Sequence, residues 1–203
     1  MYLPFEDGER YGVLVVDMQR DGVQPDGAIP AHGATDIIPA IEKLTTSARV
    51  HGWPVIHTQH VHRADLSDFG LSRHIEPPSC VDGGAGLEFV PPLQPQPGDR
   101  IVQKRRYSAF LHTDLDMLLR NLHINGLLIC GILTDACVLS TVVDGRGLDY
   151  KLWMISDALA GTNPTLHNNA LDIMAGWFAD IRDTAWAHGA IATRPQAIEG
   201  LSE

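Results

Sequence analysis

The 203-residue sequence is short of cysteine, of basic residues and of long apolar runs, and each shortage excludes something. Cys80, Cys130 and Cys137 are the only cysteines, an odd number without C-x-x-C spacing, which argues against a disulfide framework or a zinc knuckle. Lys and Arg number 15 against 25 Asp and Glu, a formal charge of −10, so no reserve of cations exists to neutralise phosphates. Nucleic acid and anionic membrane surfaces are therefore not expected partners. No apolar run approaches the roughly 20 residues that cross a bilayer. The stretch Met1–Arg10 is polar and acidic without the apolar core of a signal peptide, so the expected location is the cytoplasm.

What is present is a hydrophobic fraction of 44%, enough for a packed core. At roughly 150 residues per domain, the length predicts a single domain over 1–203. Short apolar runs end at turn or polar signals: Val13–Val16 at Asp17, Val55–Ile56 before Thr58, Leu127–Cys130 at Gly131, and Leu152–Ile155 at Ser156. Weaker runs lie at Ile101–Val102 and Ala190–Thr193. They lack strict alternation, as strands covered on both faces do. Between them, Ile37, Ile38, Ile41, Leu44 and Ala48 recur at helical spacing, as do Leu115, Leu118, Leu119 and Leu122 behind Thr113 or Asp114 as N-cap. Further helices are expected from Cys137 to Asp144, from Leu166 to Phe178, and up to His188. Alternating strands and helices predict an α/β fold, a doubly wound, Rossmann-like parallel sheet of about six strands with helices on both faces.

From about 61 to 98 no period is visible, and Pro77, Pro78, Pro91, Pro92, Pro95 and Pro97 interrupt the chain. So long an irregular insertion reads as a cap or binding loop rather than a connector.

Ligands of open parallel sheets bind outside the carboxyl ends of the strands. Asp17 closes the first strand, Lys104 closes the strand after the irregular segment, and Cys137 follows Leu127–Gly131 by one turn and opens the next helix. A strand-end Asp is often only a helix cap, a single Cys often only a small core residue, and Lys104-Arg105-Arg106 an ordinary basic surface. Shared placement at one sheet edge favours a chemical set. A helix start and a neighbouring cation lower the pKa of a thiol, Asp17 suits proton transfer, and amides of the turn before Cys137 suit an oxyanion. The chemistry expected is acyl transfer to the thiol followed by hydrolysis. A receiver-like signalling domain also sets an Asp and a Lys at strand ends, but it needs a second acidic residue beside the Asp and has no use for Cys137.

The segments Val-Leu-Val-Val-Asp17-Met-Gln, Lys104-Arg-Arg-Tyr-Ser-Ala-Phe and Gly131-Ile-Leu-Thr-Asp-Ala-Cys137-Val resemble, in order and spacing, the signature segments of the isochorismatase-like cysteine hydrolases. The likeness runs from about 11 to 193. It implies an Asp17-Lys104-Cys137 triad, a cis peptide at Ile132–Leu133, and an oxyanion hole from the Leu133 and Cys137 amides. It also implies a homo-oligomer, dimer or tetramer. Within that family the thiol points to an amidase or carbamoyl hydrolase rather than a vinyl-ether-cleaving isochorismatase.

Nicotinamidases of the family carry a metal on an Asp-x-His element, where this sequence reads His60-Val-His62. His60 and His62 are thus the candidate ligands of a nicotinamidase-type, metal-assisted alternative, although no carboxylate accompanies them and no cofactor is expected. Arg20-Asp21-Gly22 replaces the family's usual Asn-Asp-Phe, which speaks against a nicotinamide-type ring. The overall pattern resembles the biuret, ureidoacrylate and N-carbamoylsarcosine amidohydrolases. A small amide or ureido substrate is expected against Gln19, His60, His62, Arg105, Tyr107 and Phe110. One of Arg105 and Arg106 is expected to present its guanidinium fork to substrate oxygens.

Overall fold

The computed structural model describes residues 3–196. Six strands, β1 (Arg10–Val16), β2 (Val55–His60), β3 (Arg100–Lys104), β4 (Ile124–Ile132), β5 (Lys151–Ala160) and β6 (Asp180–Arg182), form one sheet in the order β3-β2-β1-β4-β5-β6. All neighbours pair in parallel. The apolar runs lack alternation because both faces are covered. Val13 and Val15 of β1 join Leu128, Cys130, Trp153 and Ile155 in the core under α2 (Ile38–Val50) and α6 (Thr184–Ala192). Leu14 and Val16 point the other way, joining Leu127, Ile129, Leu152 and Met154 under α3 (Leu115–Asn121), α4 (Leu139–Gly147) and α5 (Pro164–Trp177). A four-residue α1 (Arg20–Val23) follows β1. Among the described residues no helix is long and apolar enough to cross a membrane.

Helix starts follow their sequence signals. Asn163 accepts from the Leu166 amide at 2.9 Å ahead of Pro164, and Asp183 accepts from the Trp186 amide at 2.8 Å. At α3 the Thr113 hydroxyl accepts from the Leu115 amide at 3.2 Å, while Asp114 at the N-cap position makes no capping bond. One expectation fails here. Ala190–Thr193 is not a strand but the end of α6, because Asp183 caps a helix that buries Ala187, Ala190 and Ile191 on one face. The sixth strand is Asp180–Arg182, three residues with no apolar run to reveal them.

The connections from β1 lead toward β2 and β3, and those from β4 toward β5 and β6, so the topological switch point lies between β1 and β4. These two strands are drawn together at their carboxyl ends by Gly131. Its φ of +113° suits only glycine, and a Cβ there would lie 2.2 Å from the Val16 carbonyl oxygen.

Residues 61–98 hold only short 3₁₀ turns at Gly70–His74, Ala85–Leu87 and Pro91–Leu93. The segment is pinned by bridges of His62 with Val81 and of Gln19 with Phe89, and by the Cys80 amide, which donates to Asp21 at 2.6 Å. Just beyond it, buried Asp99 accepts two bonds from Arg49 of α2 (3.0 and 2.6 Å), one from the Gln96 amide (2.9 Å), and faces His57 Nε2 of β2 at 3.1 Å.

Two outcomes follow for stability. Gly131→Ala should destabilise by roughly 1–3 kcal/mol or more, read as a lower urea midpoint with unchanged slope. Burial alone would raise the Asp99 pKa, but His57 and Arg49 more than offset it and hold the carboxyl well below its ordinary value. Its stabilising contribution is therefore complete above about pH 4 and is lost as the pH falls through the native value. Urea melts at pH 3 and pH 7 should show a smaller acid loss in Asp99→Asn than in the unmutated chain.

Candidate active site

Three strand ends build the site. β1 ends at Val16, and Asp17 takes a left-handed turn (φ 50°) in which the Gln19 amide donates to its carbonyl at 2.7 Å. That conformation, which Asp tolerates better than most residues, turns the carboxylate back over the sheet edge. Thr58 of β2 fixes it twice: its hydroxyl donates to Asp17 Oδ1 at 2.6 Å and accepts from the Asp17 amide at 3.0 Å. β4 ends at Ile132, the peptide to Leu133 is cis, and a π-turn over Thr134–Val138 carries Cys137 before α4 begins at Leu139. Cys137 thus sits in this wide turn, ahead of the helix it was expected to open.

Lys104 ends β3, two strands away from β1, and its extended side chain crosses the end of β2 to reach the switch point. The ammonium is fully enclosed and lies 2.7 Å from Asp17 Oδ2, 3.0 Å from His60 Nδ1, 3.1 Å from the Arg106 carbonyl and 3.2 Å from Cys137 Sγ. Three N–H donors face four acceptors. The sulfur is the acceptor whose bond strengthens when it ionises. The juxtaposition of Asp17, Lys104 and Cys137 expected from topology is present.

Electrostatics follow from this crowding. Burial would lower the Lys104 pKa, but the Asp17 carboxylate and the bonds to Asp17 and Cys137 together outweigh it and the net shift is upward. Burial would raise that of Asp17, but the Lys104 ammonium, helped by the Thr58 hydroxyl bond, holds it below the ordinary carboxylate range. For Cys137 burial wins: the thiol is pushed up to about 12, with Lys104 pulling down and Asp17 adding to the rise. The resting site is thus a neutral thiol beside an ion pair, which corrects the expectation of a thiol acidified by a helix start. Burial and the adjacent ammonium lower His60 to about 3, so its imidazole is neutral.

Neutral His60 accepts from Lys104 at Nδ1, so its proton is on Nε2, which faces His62 Nε2 at 2.9 Å. That leaves the His62 proton on Nδ1, facing Asp68 Oδ2 at 3.5 Å. Gln19, fully buried, clamps the His60 backbone, its Nε2 donating to the His60 carbonyl at 2.9 Å and its Oε1 accepting from the His60 amide at 2.8 Å. This arrangement does not fit a metal ion. The Nε2 atoms of the two imidazoles are turned on each other without a converging carboxylate. The one His/Cys/Asp/Glu cluster tight enough to share an ion among the described residues, Asp17, His60 and Cys137, is filled by the Lys104 ammonium.

Beside the thiol lies a narrow cavity lined by Asp17, His60, Tyr107, Leu133 and Cys137 among others. Four expected substrate contacts fall outside it. Gln19 and His62 stand behind His60 as described. Arg105 donates to the Val61 carbonyl and to Asp68, both at 3.1 Å, and Arg106 donates to the Asp68 carbonyl at 2.9 Å, so both guanidinium groups serve the cap segment. Phe110 stacks on Tyr150 at 5.6 Å against α4. The lining residues Glu76, Ser79 and Cys80 and the Asp17 partner Thr58 escape a reading of the sequence. Only Thr58 leaves a signal, two residues before His60 on the same face of β2.

Comparison with known proteins agrees with this fold. Residues 11–185 match the isochorismatase domain family. The chain is 30% identical over 201 residues to the ureidoacrylate amidohydrolase RutB of Azorhizobium caulinodans, covering 86% of this chain and 88% of that one. A cysteine hydrolase from Pseudomonas syringae pv. phaseolicola superposes with a TM-score of 0.85 at 31% identity, covering 91% of this chain and 93% of that one. N-carbamoylsarcosine amidase of Thermoplasma acidophilum gives 0.77 at 25% identity, covering 86% and 96% respectively. The receiver-like alternative is overturned by these matches. With a family match spanning most of its length and three catalytic-type side chains at the switch point, the chain belongs to the isochorismatase family.

Proposed function

We propose that this protein is a cysteine amidohydrolase cleaving a non-peptide C–N bond of a small carboxamide, carbamoyl or ureido compound. The observation that carries the reading is the single buried ammonium of Lys104, in reach of both the Asp17 carboxylate and the Cys137 sulfur at the wall of the cavity. Cys137 Sγ attacks the carbonyl carbon while its proton passes to Asp17, and the carbonyl electrons move onto oxygen. The amides of Leu133 and Cys137 stabilise that oxyanion. Collapse breaks the C–N bond, Asp17 returns the proton to the departing nitrogen, and ammonia or an amine leaves a thioester on Cys137. Asp17 then takes a proton from water, whose oxygen attacks the thioester, and the acid departs as the proton returns to sulfur. Lys104 stays protonated throughout, and its contact with the sulfur strengthens as the thiolate develops.

A metal-assisted, nicotinamidase-type reaction has less support, because the His60 and His62 donor atoms are already spent on each other and on Lys104. A vinyl-ether hydrolysis of isochorismatase type would leave the thiol idle. A cytoplasmic homo-oligomer acting on a small molecule, without nucleic acid or membrane as partner, completes the reading. Its support is that all three cysteines are free, and that Leu71 and Ile75 on the cap are 79% and 75% exposed, apolar surface that a second copy would cover.

In an ammonia-release screen over such compounds the protein should hydrolyse at least one. Cys137→Ser should lower kcat/KM by roughly 10³-fold or more and Asp17→Asn by roughly 10²–10⁴-fold, with far-UV circular dichroism unchanged for Cys137→Ser. Full activity in Cys137→Ser would overturn the mechanism. Because Asp17 is held below the ordinary carboxylate range and His60 near 3, kcat/KM should stay level from about pH 5 to pH 8, without the inflection near 6.5 of an ordinary histidine.

A further inference from the structure

Two charged side chains line the cavity beside Cys137, Asp17 and Glu76, and both are acidic. They are not equivalent. Asp17 is neutralised by Lys104, whereas half-buried Glu76 forms no ion pair among the described residues. Among the described residues the one hydrogen-bond partner of its carboxylate is the Tyr107 hydroxyl, which donates to Glu76 Oε1 at 3.5 Å from the same lining. No cation of the described residues stands within ion-pair distance of it: Arg105 pairs with Asp68, Arg106 donates to the Asp68 carbonyl, and Arg73, which borders a neighbouring surface hollow with Glu76, donates to the Gly70 carbonyl. His60 is neutral. The cavity therefore holds one uncompensated carboxylate, set in otherwise largely apolar walls of Ile29, Ile132, Leu133 and Ala136.

We infer that Glu76 is the residue that selects the substrate, accepting an N–H or ammonium group at the end of the molecule remote from the scissile carbonyl and rejecting a carboxylate there. The inference rests on the amidohydrolase reading for which bond is cleaved, but the charge preference belongs to the cavity itself. A carboxylate brought into these walls would face Glu76 with no cation to offset the repulsion, while an N–H donor satisfies an acceptor that water otherwise serves. The substrate class is thus a small amide or ureide with a neutral or cationic, donor-bearing far end. It is not an acid of the kind named by the ureidoacrylate amidohydrolase relative.

Three compounds of matched length separate the possibilities: succinamide (neutral), succinamate (anionic) and 4-aminobutanamide (cationic). Binding is measured by calorimetry on Cys137→Ala, and kcat/KM on the unmutated protein. Both should favour the neutral and cationic compounds over the anion by roughly tenfold or more. Glu76→Gln should shrink that gap by a similar factor, raising the anion and lowering the cation. Glu76→Lys should invert it. A loss of equal size for all three compounds would mean Glu76 only props up the cap, and a preference for succinamate, or no binding of any of the three, would overturn the inference. Binding in the expected order without ammonia release would leave the charge preference standing and remove the amidohydrolase reading instead.

Discussion

A lysine ammonium enclosed at the carboxyl edge of a parallel sheet is the interaction on which the site depends. Removing such a charge from water is expensive unless a counter-charge and further acceptors are held in place for it. Here the counter-charge is Asp17, and the acceptors are an imidazole, a backbone carbonyl and the Cys137 sulfur. The demand passes outward. Asp17 is steadied by Thr58, His60 has its tautomer set by Lys104 and its backbone held by Gln19, and His62, whose tautomer follows from His60, faces Asp68, which also receives Arg105. Groups that a sequence reading would assign to substrate instead satisfy the ammonium and its partners.

The same interaction gives the sheet order its purpose. Asp17 and Cys137 follow the two strands that flank the switch point, and Gly131 lets those strands approach without a side chain between them. Lys104 arrives from β3 across β2, whose residue in register with it is His60. Charge, sulfur and carboxylate meet because a long flexible side chain spans the strand that separates them, and His60 lines its path.

Much of this was legible in the sequence. The apolar runs that end at Asp17 and Gly131 mark strands buried on both faces, and parallel topology alone sends Asp17, Lys104 and Cys137 to one rim. The proline-rich stretch from 61 to 98 announces an irregular insertion by its lack of period, and Glu76, Ser79 and Cys80 of it line the cavity. What was not legible lies where side-chain direction is set by tertiary contacts. Nothing local says that Arg105 and Arg106 turn toward Asp68, that Phe110 packs on Tyr150, or that Glu76, in an irregular segment, borders the cavity. The acidity of Cys137 was misjudged for a related reason. A turn and a nearby cation can be read from spacing, but the degree of burial that opposes them cannot.

The sequestration of Lys104 has a practical side. Of the three lysines, Lys104 is sealed and Lys151 is held by Glu6 and Glu9, leaving Lys43 on α2 as the exposed side-chain amine. Amine-directed coupling chemistry can therefore attach this protein to a surface or a dye through Lys43, while the ammonium that organises the reaction stays out of the reagent's reach.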